Sequence, residues 1–212
     1  MNRTMRTKHV ALLTLFLLPW LSGCAQDSEA WMGPVMIGGG APAAGGTPAS
    51  LTTYDSANQD DVTQMGRPGV FEYLDQSFIA AGSGTATVTS VRIYAEEVGT
   101  AADVSVVFQL YTDSTGPDTQ VTDASCSLNS RTAFGTMAWV ECTFSSAPTI
   151  TLGTTYWLVV SGATYTDASN TCRWGLDSSS PSYASGSGQY CVGGPNTSCT
   201  SWHDFCFDIW GY

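Results

Sequence analysis

The chain has 212 residues with 18 acidic against 7 basic side chains, a net charge of −11, so a polyanion such as nucleic acid is excluded as a partner. About 190 residues remain beyond a short apolar leader, enough chain for one domain with a sizeable core. Metal ligation through paired thiols is disfavoured, because the seven cysteines form no CxxC pair.

The chain opens on "MNRTMRTKH", with Arg3, Arg6 and Lys8, and continues as an apolar run from Val10 to Trp20. That run is about 11 residues, well short of the ~20 that a bilayer-spanning helix needs. A basic start, a short apolar core and small residues at its end describe a secretory signal over residues 1–23. It ends in Leu21-Ser22-Gly23-Cys24. "LSGC" resembles the lipobox of bacterial lipoproteins. The resemblance implies that the Cys24 thiol takes up a diacylglyceryl group and becomes the first residue of the mature chain. Each buried CH₂ of the acyl chains contributes about 0.8 kcal/mol, so Cys24 would anchor the protein stably to a membrane. Residue 25 is Ala rather than Asp, and the family pattern then implies the outer membrane. Loss of residues 1–23 leaves four arginines against the same 18 acids.

Residues 24–53 are expected to form a flexible tether. "IGGGAPAAGGTPAS" is built of Gly, Ala, Pro and small polar residues without an apolar period, and a coil of this length reaches roughly 30 Å. Trp31, Met32, Val35, Met36 and Ile37 interrupt this texture.

From about Phe71 onward the pattern is period two, the signature of half-buried strands. One side of "YLDQSFIA" carries Leu74, Gln76, Phe78 and Ala80. Val91, Ile93 and Ala95 alternate with Arg92, Tyr94 and Glu96. Val104, Val106, Phe108 and Leu110 share a face, as do Ala138, Val140, Cys142 and Phe144, and later Phe205, Phe207 and Ile209. "TTYWLVVSG" is apolar on both faces, as a central strand would be. Turn-rich stretches such as "STGPDT", "SSAPT" and "GPNTS" bound these runs. No window after Thr53 has helical periodicity. The expected fold is all-β, an antiparallel sandwich over residues 54–212.

Residues ~74–212 resemble a jelly-roll β-sandwich module of phage tail and bacterial surface proteins, the choice-of-anchor type. The stretches that carry the resemblance are "QSFIAAGSGTATVTSVRIYAEEVGTAADVSVVFQLYTDSTG", "FSSAPTITLGTTYWLVVSGA", "RWGLDSSSPSYASGSGQY" and "DFCFDIWGY". The resemblance implies a jelly-roll fold and an accessory or recognition role, with no set activity and without most of these cysteines.

Six cysteines remain after Cys24, an even number that in an exported chain reads as three disulfides. Cys126 and Cys142 would clamp a hairpin, Cys191 and Cys199 would pin the loop "VGGPNTS", and Cys172 and Cys206 would join two late strands.

Catalytic motifs are sparse. Downstream of the leader the only histidine is His203, and its neighbour Asp204 would point to the opposite face of a strand. No GxSxG context occurs, and no particular pair of acids marks a glycoside hydrolase. A catalytic role and a cofactor are therefore not expected. Hard oxygen ligands for calcium are dense around Asp113 and Asp118. The most suggestive feature is aromatic: Tyr183, Tyr190 and Trp202 lie in turn-rich segments beside Asp204, where flat rings could stack on sugar faces. The function expected is that of a surface or envelope lipoprotein that binds glycan or mediates adhesion. The alternatives are a structural envelope component that contacts other envelope proteins and, more weakly, a glycan hydrolase.

Overall fold

The computed structural model describes residues 46–67, 69–99, 104–162, 170–179 and 183–212. Cys24, the leader and the Trp31 to Ile37 stretch of the tether lie outside the described residues.

In chain order the strands are β1 (Ala49–Tyr54), β2 (Asp61–Gln64), β3 (Tyr73–Ile79), β4 (Thr85–Val98), β5 (Ser105–Asp113), β6 (Pro117–Asn129) and β7 (Ala138–Thr143). They continue with β8 (Thr149–Thr151), β9 (Thr155–Gly162), β10 (Thr171–Asp177), β11 (Gly188–Cys191), β12 (Thr200–Ser201), β13 (Asp204–Phe205) and β14 (Phe207–Gly211). A helical turn at Ser130–Ala133 and a 3₁₀ turn at Ser56–Asn58 complete the described elements. The first sheet runs β1-β14-β4-β10-β13, with β7 and β8 also on β4 and β2 also on β10; the second runs β12-β11-β3-β9-β5-β6. All pairings are antiparallel, and the two sheets pack as a β-sandwich.

The alternation read from the sequence accounts for the core. Leu74, Phe78, Phe108, Leu110 and Leu158 from the second sheet meet Val91, Ile93, Trp174, Leu176, Phe205, Phe207 and Ile209 from the first, all fully or almost fully buried. Each such side chain contributes about 1.5–3 kcal/mol on burial. β9 lies between β3 and β5, and its apolar character on both faces matches that central place. One strand breaks the simple pattern. In β4 the inward residues are Ala86 and Val88, then Val91, Ile93 and Ala95. The parity changes because Trp210 pairs with Ser90 while Gly211 pairs with Val88, leaving Thr89 as an extra residue. Such a bulge re-aims the side chains that follow it.

Two expectations are corrected. The tether does not extend to residue 53. Residues 49–54 form β1, in register from Ala49↔Gly211 to Tyr54↔Phe207, and cover the edge of β14. The Thr-rich segment suits an edge strand, and Tyr54 is buried in the core. The Cys172–Cys206 bridge is likewise not made. β10 and β13 pair with Leu176 opposite Phe205, and Cys206 N–H donates to Gly175 O, which sets Cys206 opposite Gly175. Cys172 is three residues away along the strand, about 10 Å, and an odd offset puts it on the other face. A disulfide needs Cα atoms within about 7 Å.

The other two bridges, Cys126–Cys142 and Cys191–Cys199, are formed. The first does not clamp a hairpin. Cys126 is on β6 in one sheet and Cys142 on β7 in the other, so the bond ties the sheets together at one side of the sandwich.

Candidate functional site

The second sheet ends in a small hairpin. β11 pairs with β3 through Tyr190↔Leu74, and with β12 through Gln189↔Ser201 and Tyr190↔Thr200. The intervening loop reverses direction through left-handed residues, Gly193 at φ 86° and Asn196 at φ 57° among them, and Cys191–Cys199 closes its base. Trp202 N–H then donates to Gly188 O at 2.9 Å. A Cβ on Gly188 would lie 1.8 Å from His203 O, so only glycine allows the Trp202–His203 segment to approach β11 this closely.

That approach assembles a ring cluster. Tyr190 and Trp202 meet edge-to-face at 5.2 Å, and Phe71 meets Tyr190 at 4.9 Å and Trp202 at 6.2 Å. The His203 ring lies 4.9 Å from Trp202. Trp202 is 38% exposed, while Phe71, Tyr190 and His203 are partly buried. Glu72 fixes the setting of Phe71: its carboxylate accepts from Gly69 N–H at 2.8 Å and from Gly193 N–H at 2.6 Å. These two hydrogen bonds, Gly69 first, hold Glu72 below the usual range for its carboxyl. Exposed Thr200 and Ser201 add polar groups on the neighbouring strand. The result is a partly open aromatic face with hydroxyl and carboxylate groups close by in the chain, held on a stapled hairpin.

Of the expected ligand residues, Tyr190 and Trp202 come together and Tyr183 and Asp204 do not join them. The Tyr183 ring packs on Tyr54 at 5.5 Å and on Phe207 at 5.2 Å, and its hydroxyl shares a hydrogen bond with Thr52 Oγ1. Burial pushes the Tyr183 phenol up. Asp204 is buried, accepting from Tyr183 N–H at 3.2 Å and from Gln76 Nε2 at 3.4 Å, and desolvation pushes its carboxyl up. It stands opposite Asp177 in the ladder, and Asp177 accepts from the Tyr54 hydroxyl and from Ser179. These facing carboxylates are therefore buried in an internal polar network.

The calcium candidates flank the β5–β6 turn, where Asp113 pairs with Pro117. Asp113 Oδ1 accepts from Trp157 Nε1 at 2.7 Å, and Asp118 Oδ2 accepts from the Thr119 hydroxyl. Among the described residues, the ligand atoms that converge for a metal are those of Asp75, Cys191 and Cys199, within 4.8 Å of one another. The two sulfurs are bonded to each other there and have no thiolate to offer an ion.

Sequence reasoning missed Phe71, which sits far from Tyr190 in the chain, and gave His203 no part in the cluster. It also missed Trp139, which is 37% exposed on β7 and meets Tyr94 edge-to-face at 5.5 Å. No protein-family model matches this chain, and no curated protein is significantly similar to it.

Proposed function

We propose that this is an exported, lipid-anchored β-sandwich protein that binds glycan through Phe71, Tyr190, Trp202 and His203. The observation that carries the reading is the Trp202 ring: more than a third exposed, braced by three other rings and set on a hairpin closed by a disulfide. An aromatic face of this kind stacks on the apolar faces of sugar rings, while neighbouring hydroxyl and carboxylate groups bond sugar hydroxyls. Pre-organisation lowers the entropy lost on binding, so a small contact area can register. The disulfides support an oxidising, exported compartment, and the lipobox-like "LSGC" supports anchoring through Cys24 to the outer membrane or cell surface.

A glycan array probed with the full chain tests this. Selective retention on one class of oligosaccharide is the expected result, and no retention on any would overturn the reading. A second reading, assembly with an envelope protein, is favoured by a different observation. Trp139 is exposed on the outer side of the first sheet, packed on the buried Tyr94 ring, and Arg92 on the same side covers the Trp210 ring at 4.3 Å.

A further inference from the structure

Asp75 lies within β3 with no exposed surface. It is on the side of the second sheet that faces away from the sandwich core, since Leu74 and Gln76 point the other way. Asp75 Oδ2 accepts from Gln189 Nε2 at 3.0 Å and lies 3.1 Å from Cys191 Sγ. Its Oδ1 is buried and has no hydrogen-bond partner. A carboxylate in that state is strongly disfavoured, because an unsatisfied buried charge loses its hydration without replacement. Burial accordingly pushes Asp75 up to about 7, against the smaller opposite effect of Gln189.

The contact with Cys191 has a direction. A disulfide sulfur carries no proton, so a hydrogen bond at this contact must take its proton from the Asp75 carboxyl. The two sulfurs also differ in access. Cys191 is fully buried, whereas Cys199 is part-exposed at the end of the loop. A solvent-facing sulfur thus leads to a buried one that touches a buried acid. The loop between them reaches the β5–β6 turn, where a Cβ on Gly116 would lie 2.5 Å from Asn196 Oδ1.

We propose that Cys191–Cys199 is a thiol–disulfide exchange centre whose substrate is an external thiol, with Asp75 as proton donor to the departing Cys191 sulfur. An incoming thiolate bonds to Cys199 Sγ as the Cys199–Cys191 bond breaks. The electron pair of that bond stays on Cys191, and the Asp75 proton neutralises it, leaving Asp75 ionised. A second external thiolate attacks the substrate sulfur of the mixed disulfide and releases Cys199 as thiolate. Two external thiols are oxidised to one disulfide, and Cys191 and Cys199 are reduced; the protein disulfide itself is the oxidant. Among the described residues, Tyr73 and Tyr111 are further titratable groups on this side of the sheet, and the Tyr111 phenol is pushed up by burial, then by Tyr73 and Asp75. The Tyr111 phenol stays neutral through the pH range concerned. Ionised Asp75 would instead repel the thiolate developing beside it. The inference is independent of glycan binding.

The test uses the oxidised full chain and free cysteine as reductant, at constant thiolate concentration. Reduction of Cys191–Cys199 is followed by alkylation and peptide mass, from about one pH unit below 7 to one above. General acids typically contribute 10²–10⁴-fold, so the rate constant per thiolate should follow the protonated fraction of Asp75 and fall by close to tenfold across this range. In Asp75→Asn it should be flat. Identical profiles in the two proteins, or reduction only after unfolding, would overturn the proposal. Single-cysteine variants give a readout that does not depend on folding of the Asn variant. With cystine as the donor, Cys191→Ser should form a mixed disulfide at Cys199 at least about tenfold faster than Cys199→Ser does at Cys191. Equal or reversed rates would overturn it.

Discussion

Cys126 on β6 and Cys142 on β7 lie in opposite sheets, with Cα atoms 6.1 Å apart. β6 is the end strand of the second sheet and β7 pairs with β4 on the outside of the first. The bond therefore restrains how the two layers sit on each other, besides closing a loop in the unfolded chain. A loop of 16 residues corresponds to about 3 kcal/mol in the chain-entropy model. Replacing both Cys126 and Cys142 by Ser should lower unfolding stability by about that amount, with a matching fall in Tm on a thermal melt. An unchanged Tm would show that the cross-link does not restrain the unfolded ensemble.

Asp75 predicts a pH dependence of stability. Its folded value of about 7 lies above the ordinary aspartate value of 3.8, so the folded state holds the proton more tightly. Its contribution to stability is complete below the unfolded value and is lost as pH rises through about 7. At about 1.36 kcal/mol per unit, the full loss approaches 4 kcal/mol. Relative to wild type, Asp75→Asn should gain stability progressively from about pH 4 to pH 7 and then level off. Urea titrations of both proteins across this window measure the difference; a constant difference would refute the assignment to Asp75.

How far the sequence reveals this structure depends on which physical constraint is asked about. The inward faces of β5 and β14 are legible because each carries one continuous apolar side, as in Val106, Phe108 and Leu110. Alternation says which face of a strand is buried but not which sheet it joins. Cys126 and Cys142 therefore read as a hairpin pair although they belong to different layers. Register is equally hidden, and three residues of offset separate Cys172 from the position opposite Cys206. Asp75 looks like an outward polar residue in its strand, and becomes buried only through its tertiary surroundings. At the candidate site, Tyr190 and Trp202 could be chosen for their turn-rich context. The same context misplaced Tyr183, whose ring fills the gap between Tyr54 and Phe207.

Gly188 tests whether the hairpin positions the rings. An Ala methyl there would collide with His203 O, which is backbone and cannot swing aside. Overpacking of this kind costs on the order of 3 kcal/mol. Gly188→Ala should lower Tm and weaken glycan binding together, because the displaced segment carries Trp202. Gly135, where a Cβ would meet nothing within 4 Å, is the control: Gly135→Ala should leave binding unchanged in the same titration.

The proposed lipid anchor is tested at Cys24. Serine at that position offers a hydroxyl, a far weaker nucleophile than the thiol toward the lipid donor. Cys24→Ser should leave an unlipidated, uncleaved precursor that takes up no labelled fatty acid in growing cells. Equal labelling of wild type and variant would refute lipidation at this residue.

Trp202 and Trp174 separate binding from packing. Trp174 is fully buried, stacks on Phe205 at 4.5 Å and donates its Nε1 proton to Cys206 O at 2.7 Å. Truncating it should cost about 3–5 kcal/mol, since a large cavity remains and the Cys206 carbonyl keeps only Tyr94 N–H of these two donors. Trp202 keeps more than a third of its surface in solvent, and its contacts are the edges of Phe71, Tyr190 and His203. Its truncation should cost only about 1 kcal/mol and remove glycan binding, if the exposed ring is the sugar platform. Trp202→Phe keeps an aromatic face with less area, and should bind measurably but more weakly. A thermal melt and a binding titration on the three variants distinguish the roles. Full binding by Trp202→Ala at unchanged Tm would eliminate this ring as the platform and turn attention to Trp139, the other large exposed aromatic side chain among the described residues.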